Sequence, residues 1–144
     1  MSANKDLHHN IGAVTAIPPQ ALGVTGTGKT SKVIDRSGFD AVEFVFNYGA
    51  VTATNATVSV QILDGSTTGA LTAVSSTYIL GSTSQAGVVA SPTRTSGVTK
   101  NYTKRLGYIG INRYVQCKLV PTVSGGIIAG ASVLLGTPRV APVA

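Results

Sequence analysis

The segment best suited to chemistry is glycine-rich: residues 23–30 read GVTGTGKT and match the phosphate-binding Walker A pattern. In such a loop backbone N–H groups surround the phosphates, the lysine contacts the β- and γ-phosphates, and the threonine binds Mg²⁺. The loop works only where a buried strand enters it and a helix leaves it. Here Pro18 and Pro19 precede the segment, and residues 31–38 end at Gly38 without an apolar helical face. We therefore interpret the motif as a chance match and expect no nucleotide hydrolysis.

The remaining reactive side chains do not form a recognisable site. Cys117 is the single cysteine and alternates with polar residues, which favours a small buried hydrophobe over a catalytic thiol. His8 and His9 are adjacent near the N-terminus, which is weak evidence for a metal site. The five acidic residues are scattered along the chain. We expect no catalytic residue, no cofactor and no metal, and so a protein that is not an enzyme.

Composition favours a binding or structural role. The chain has 144 residues, which suits one domain, and only 11% are charged, against about 25% in ordinary domains. A surface poor in long charged side chains suits burial against other subunits. The net charge is +6 and the basic residues are scattered. No apolar run is long enough for a transmembrane helix, and no secretory signal is apparent, so we expect assembly in the cytoplasm.

Alternating apolar and polar residues predict β-strands throughout. The pattern is clearest in residues 39–48, 58–62 and 106–120, and residues 127–135 are apolar on both faces. We interpret residues 106–120 as a β-hairpin or a bent strand around Asn112. About eight strands joined by glycine-rich turns predict an all-β antiparallel β-sandwich, in the jelly-roll arrangement.

The two ends of the chain are predicted to be extended arms. Residues 1–20 form the N-terminal arm, because Pro18 and Pro19 exclude a helix. The single sandwich domain is then residues 21–144, with a C-terminal tail from about residue 136. The arm could be a frayed terminus. Alternatively, Ile11, Val14 and Ile17 would let it lie against a neighbouring subunit.

Three stretches resemble one family: residues 33–44 (VIDRSGFDAVEF), 106–115 (LGYIGINRYV) and 135–143 (LGTPRVAPV). They resemble small proteins encoded beside the major capsid protein of tailed phages, the capsid cement or decoration proteins of the Bordetella phage type. The resemblance implies a jelly roll on the outside of an HK97-type shell, which associates with itself and bridges neighbouring capsid subunits.

These observations together give specific expectations. The partners are the phage major capsid protein and the chain itself, as a homodimer more than a trimer, without nucleic acid or membrane. The location is the capsid exterior. The residues expected at the capsid or self-interface are Ile11, Val14, Ile17, Arg36, Lys100, Tyr102, Lys104, Arg105 and Arg139.

Two alternative functions remain open from the sequence. The first is an adhesin-like or carbohydrate-binding β-sandwich displayed on a virion or a cell, with Tyr102 and Tyr108 as an exposed aromatic platform. The second is a single-strand nucleic-acid binder, in which tyrosines between basic residues stack on bases. That reading predicts an affinity that falls steeply with salt.

Overall fold

The computed structural model describes residues 6–23, 27–51, 57–82, 88–89, 102–122 and 127–139. Within these ranges eleven strands form two antiparallel sheets. The strands are β1 (Ile11–Ala21), β2 (Lys29–Thr30), β3 (Ile34–Asp35), β4 (Phe39–Val51), β5 (Thr57–Gly65), β6 (Thr72–Ala73), β7 (Ile79–Leu80), β8 (Val88–Val89), β9 (Tyr102–Tyr108), β10 (Tyr114–Pro121) and β11 (Ile127–Pro138). No helix in the described ranges has the length and apolarity that crossing a bilayer requires.

The strand order is that of a jelly roll. The first sheet, here called the five-stranded sheet, runs β1-β11-β4-β9-β7, and the second runs β2-β10-β5-β6. In the second sheet β3 also pairs with β10, and β8 with β5. If β2 and β3 are counted as one interrupted strand and β6 and β8 as another, nine strands remain: eight in the jelly-roll order and the two-residue β7 at one edge. Each sheet joins early strands to late ones. The predicted all-β antiparallel sandwich is confirmed.

The core lies between the two sheets, where alternate side chains of the long strands meet. Phe44 and Phe46 of β4 belong to the same core cluster as Cys117 and Leu119 of β10, and each of these side chains is fully buried. Burial raises the pKa of the Cys117 thiol to about 11. The expectation that Cys117 is a buried hydrophobe is therefore confirmed.

The predicted hairpin in residues 106–120 is wrong. β9 pairs with β4 and β7 in the five-stranded sheet, whereas β10 pairs with β5, β2 and β3 in the second sheet. Residues 109–113 therefore cross from one sheet to the other. Side-chain alternation indicates which face of a strand is buried, but both sheets bury their inner faces in the same core, so the pattern does not identify the pairing partner.

The predicted boundary of the N-terminal arm is also wrong. Residues 11–20 belong to β1, which pairs with β11 from Ile11 to Ala21. The two prolines fit because β1 is an edge strand and its register shifts between Ile17 and Gln20, where ladder hydrogen bonds are interrupted anyway. At the other end β11 continues to Pro138, past the predicted start of the tail. Residues 1–5 and 140–144 lie outside the described residues.

Candidate interaction surface

The outer faces of the two sheets differ in chemistry. The second sheet presents polar side chains, including Ser59 and Gln61 of β5 and Gln116 and Lys118 of β10. The five-stranded sheet presents two cross-strand rows of mostly small or apolar residues. The rows are Ala13, Leu134, Glu43 and Gly107, and Thr15, Ser132, Val45 and Arg105. The charges in these rows belong to Glu43 and Arg105, whose side chains are 3.6 Å apart in an ion pair.

An apolar groove of about 380 Å³ opens at one end of this outer face. We call it the apolar groove, and its lining includes Ile11, Ala41, Val42, Leu80, Tyr108, Ile109, Leu134 and Gly136. Leu80 and Ile109 are more than half exposed. Asp40, Glu43 and Arg105 also contact the groove, so its apolar floor has a charged rim. This combination is typical of a protein-binding surface.

The connection between β9 and β10, here called the 109–113 loop, borders the apolar groove through Ile109 and carries a second isoleucine in water. Ile111 is 93% exposed. Arg36 holds the carbonyl groups on both sides of it: Nη2 donates to the Gly110 carbonyl at 2.8 Å and Nε donates to the Asn112 carbonyl at 2.6 Å. The Asn112 N–H donates to the Tyr108 hydroxyl at 3.3 Å. The loop therefore presents Ile111 in a fixed position.

Other arginines at this end are paired with carboxylates. Arg113 donates two hydrogen bonds to the carboxylate of Asp35, at 2.9 and 2.7 Å. These bonds from Arg113, followed by one from the Ser37 N–H, hold the pKa of Asp35 below its usual value. Arg139 donates to Oδ1 of Asp40 at 3.0 Å. Each of these positive charges has a negative partner. The surface around the 109–113 loop is therefore locally close to neutral.

The residues predicted on the N-terminal arm occupy three environments within β1. Ile11 lines the apolar groove and is half-buried. Val14 is partly buried and packs against the core. Ile17 is only 2% exposed, so its side chain is part of the chain's own core. The expectation of an interface residue is wrong for Ile17, which lies between two register shifts of β1 and has its side chain in the core.

The predicted basic residues are likewise divided. Arg36 binds the 109–113 loop internally, and its guanidinium lies 5.5 Å from the centre of the Tyr108 ring, so it positions the surface and does not itself extend from it. Arg105 and Arg139 are well exposed in surface ion pairs. Lys104 places its ammonium 5.4 Å from the ring of Tyr102, at the end of β9 that is farther from the apolar groove. Lys100 lies outside the described residues.

The exposed isoleucine of the 109–113 loop was not predicted from the sequence. Ile109 and Ile111 were assigned to a strand because they alternate with Gly110 and Asn112. Glycine and asparagine are also typical turn residues, and that signal could have indicated a loop. The carbohydrate-binding alternative predicted that Tyr102 and Tyr108 form an exposed aromatic platform. That prediction is wrong, because Tyr108 is only 1% exposed.

The Walker-like segment takes part in the second sheet. Lys29 and Thr30 form β2 and pair with Leu119 and Lys118 of β10. The next regular element is strand β3. Gly28 has a φ of +66° and packs against the backbone of Leu119. Residues 24–26 lie outside the described residues. In the part of the chain that is described, no three His, Cys, Asp or Glu side chains are grouped to hold a metal ion.

No family model matches the chain, and no curated protein matches its sequence. Similar solved structures include the SPBc2 prophage-derived protein YomS, with a TM-score of 0.44 and 8% identity over 88% of this chain and 94% of that one. A chain of the cyanophage Pam1 capsid asymmetric unit has a TM-score of 0.47 and 13% identity, over 92% and 88%. A carbohydrate-binding module specific for non-crystalline cellulose has a TM-score of 0.38 and 13% identity, over 83% and 72%. Phage and capsid proteins are thus among the similar structures, and at these identities the similarity describes the β-sandwich alone.

Proposed function

We propose that the protein is a non-enzymatic structural protein of a virion, a capsid cement or decoration protein that binds the outside of an HK97-type phage capsid and clamps neighbouring major capsid subunits. The observation that carries this proposal is the rigid presentation of Ile111 beside the apolar groove. The resemblance of residues 33–44, 106–115 and 135–143 to phage cement proteins supports the same function. The protein assembles in the host cytoplasm and has the major capsid protein and a second copy of itself as partners.

The position of Ile111 is unfavourable in a free protein and favourable in a bound one. An isoleucine that moves from water into an apolar pocket contributes about 1.5–3 kcal/mol. Because Arg36 already fixes the 109–113 loop, little further conformational entropy is lost on binding. The partner surface therefore needs an apolar pocket for Ile111 and an apolar ridge for the neighbouring groove.

A capsid suits contacts of this modest strength. An icosahedral shell repeats each contact many times, and a protein that contacts two subunits at once gains from the high local concentration of the second site. A surface with few charges also lowers the cost of removing water from polar groups at the interface. A few apolar contacts per copy can then stabilise a whole shell.

Binding of purified protein to assembled capsids that lack it tests the proposal. Replacement of Ile111 by serine should weaken the affinity for capsids, measured by co-sedimentation, by about 10-fold or more. This loss corresponds to the free energy that burial of the isoleucine side chain contributes. Ile128→Ser is the matched control, because Ile128 is 50% exposed at the other end of the same outer face. Equal binding of wild type and Ile111→Ser would contradict a role for the loop.

Reconstruction of virions that contain the protein tests the location separately. The expected result is density on the outer surface of the shell, across the boundaries between capsid subunits, with the 109–113 loop towards the shell. Density inside the shell, or no density, would overturn the proposed function.

A further inference from the structure

β1 is a long edge strand without a charged side chain. It lies at the edge of the five-stranded sheet, next to β11, and its sequence is IGAVTAIPPQA. Soluble proteins usually protect a long edge strand with charged residues, because its free N–H and C=O groups can pair with another chain. β7, at the opposite edge of the same sheet, has two residues. β1 is therefore the unprotected edge among the described strands.

The open part of this edge is its first half. Residues 11–15 pair with β11 without a register shift. The register shifts between Thr15 and Ile17 and again between Ile17 and Gln20. Pro18 and Pro19 lack N–H groups, so they protect the second half of the strand. An incoming strand can form a regular ladder with residues 11–15 alone.

We propose that residues 11–15 pair in antiparallel orientation with the same residues of a second copy, with the two-fold axis at Ala13. This pairing joins two five-stranded sheets into one continuous sheet and closes a symmetric dimer. It rests on the self-association included in the proposed function, and it specifies the contact.

The side chains of this segment are complementary to themselves in that register. Gly12 lies opposite Val14 of the second copy, so the smallest residue leaves room for a β-branched one on the inner face. Ile11 lies opposite Thr15 of the second copy on the outer face, and Ala13 faces its own counterpart. Val14 is only partly buried in the single chain, and the pairing completes its burial.

The same pairing positions the proposed capsid contacts. Ile11 lines the apolar groove, so a two-fold axis at Ala13 places the grooves of both copies close to the axis. The dimer then presents two equivalent apolar surfaces on one continuous sheet. A clamp between neighbouring subunits gains avidity from this bivalent arrangement.

A charge-reversal pair tests the register with purified protein and no capsid. Ala13 is exposed in the single chain, so Ala13→Lys and Ala13→Glu should both fold. Each variant alone places two like charges across the axis, and its dimer dissociation constant in sedimentation equilibrium should rise at least about 10-fold. An equal mixture should recover a dimer that contains one copy of each. Gln61→Lys and Gln61→Glu are the matched controls on the outer face of the second sheet and should leave the dimer unchanged.

Cysteine cross-linking supplies a second measurement. Ala13→Cys should form a covalent dimer on mild oxidation, whereas Thr15→Cys should do so only when mixed with Ile11→Cys. The buried Cys117 adds no background in the folded protein, because burial keeps it as a thiol.

A wild-type protein that remains monomeric at high concentration, or a dimer indifferent to both Ala13 variants, would overturn the proposed contact. Capsid binding would still be open to its own test, because capsid plays no part in these measurements. Circular dichroism of each variant should match the wild type, so that a loss of the dimer is not confused with a loss of fold.

Discussion

The hydroxyl of Tyr108 donates a hydrogen bond to Oδ2 of Asp64 at 2.5 Å and so joins β9 of the five-stranded sheet to β5 of the second sheet. Burial of the ring, followed by this hydrogen bond, raises the pKa of Tyr108 well above its usual range. The hydroxyl therefore stays protonated and remains a donor at neutral pH. Because Asn112 also binds this hydroxyl, the same group connects the two sheets and fixes the 109–113 loop.

Tyr108→Phe removes this connection while it keeps the ring. A hydrogen bond to a charged group contributes about 1.5–3 kcal/mol, so we expect a loss of this size in the free energy of unfolding. Urea denaturation measures it. Tyr78→Phe, at an exposed tyrosine, is the control and should change stability by less than about 0.5 kcal/mol. Equal stability of the two variants would show that the Tyr108 hydroxyl is not the link between the sheets.

Gly28→Ala should destabilise the protein more than Gly38→Ala does. Both glycines have positive φ, which costs about 1–2 kcal/mol for alanine. A Cβ at Gly38 meets nothing within 4 Å, whereas a Cβ at Gly28 overlaps the Leu119 carbonyl oxygen. We expect a total loss of about 3 kcal/mol or more for Gly28→Ala in urea denaturation. A smaller loss than that of Gly38→Ala would contradict the packing of β2 on β10.

Asp35→Asn should lower stability in a pH-dependent way. Because Arg113 lowers the pKa of folded Asp35, the carboxylate stabilises the protein above its ordinary pKa of about 3.9. That contribution is lost as the pH falls through the lowered pKa of the folded state. Both side chains are substantially exposed, so the difference near neutral pH should be about 0.2–1 kcal/mol. Urea midpoints of wild type and variant should converge at about pH 2, and a constant difference would contradict the charge interaction.

Arg36→Lys tests whether the hydrogen bonds from Arg36 to the 109–113 loop hold the exposed Ile111 in position. A lysine ammonium cannot span the carbonyls of Gly110 and Asn112 in the planar geometry of a guanidinium, so the 109–113 loop should gain freedom. We expect capsid affinity to fall by roughly 3- to 10-fold, less than for Ile111→Ser, because the apolar side chain is still present. Lys118→Arg, on the outer face of the second sheet, is the control and should bind normally.

The sequence predicted the elements of the fold better than their connections. Alternation in residues 39–48 and 115–119 identified buried faces of β4 and β10, because the two-residue period follows directly from strand geometry. The same alternation could not show that β9 and β10 belong to different sheets. β1 was mistaken for an arm because Pro18 and Pro19 argue against a central strand but are compatible with an edge strand.

The candidate surface was predicted only in part. Ile11 was expected at an interface, and it does line the apolar groove. Ile111 was not expected there, since its exposure depends on a loop whose course is set by distant residues. Arg36 was expected at the capsid or self-interface, and its actual partners are backbone carbonyls, which a sequence pattern does not reveal.

Arg36 lies 74 and 76 positions before the two carbonyl groups that it holds. The 109–113 loop therefore reaches its final shape only after β3, β9 and β10 have come together. A nascent or incompletely folded chain lacks the ordered protrusion, so a partner that recognises this protrusion would discriminate mature molecules from immature ones.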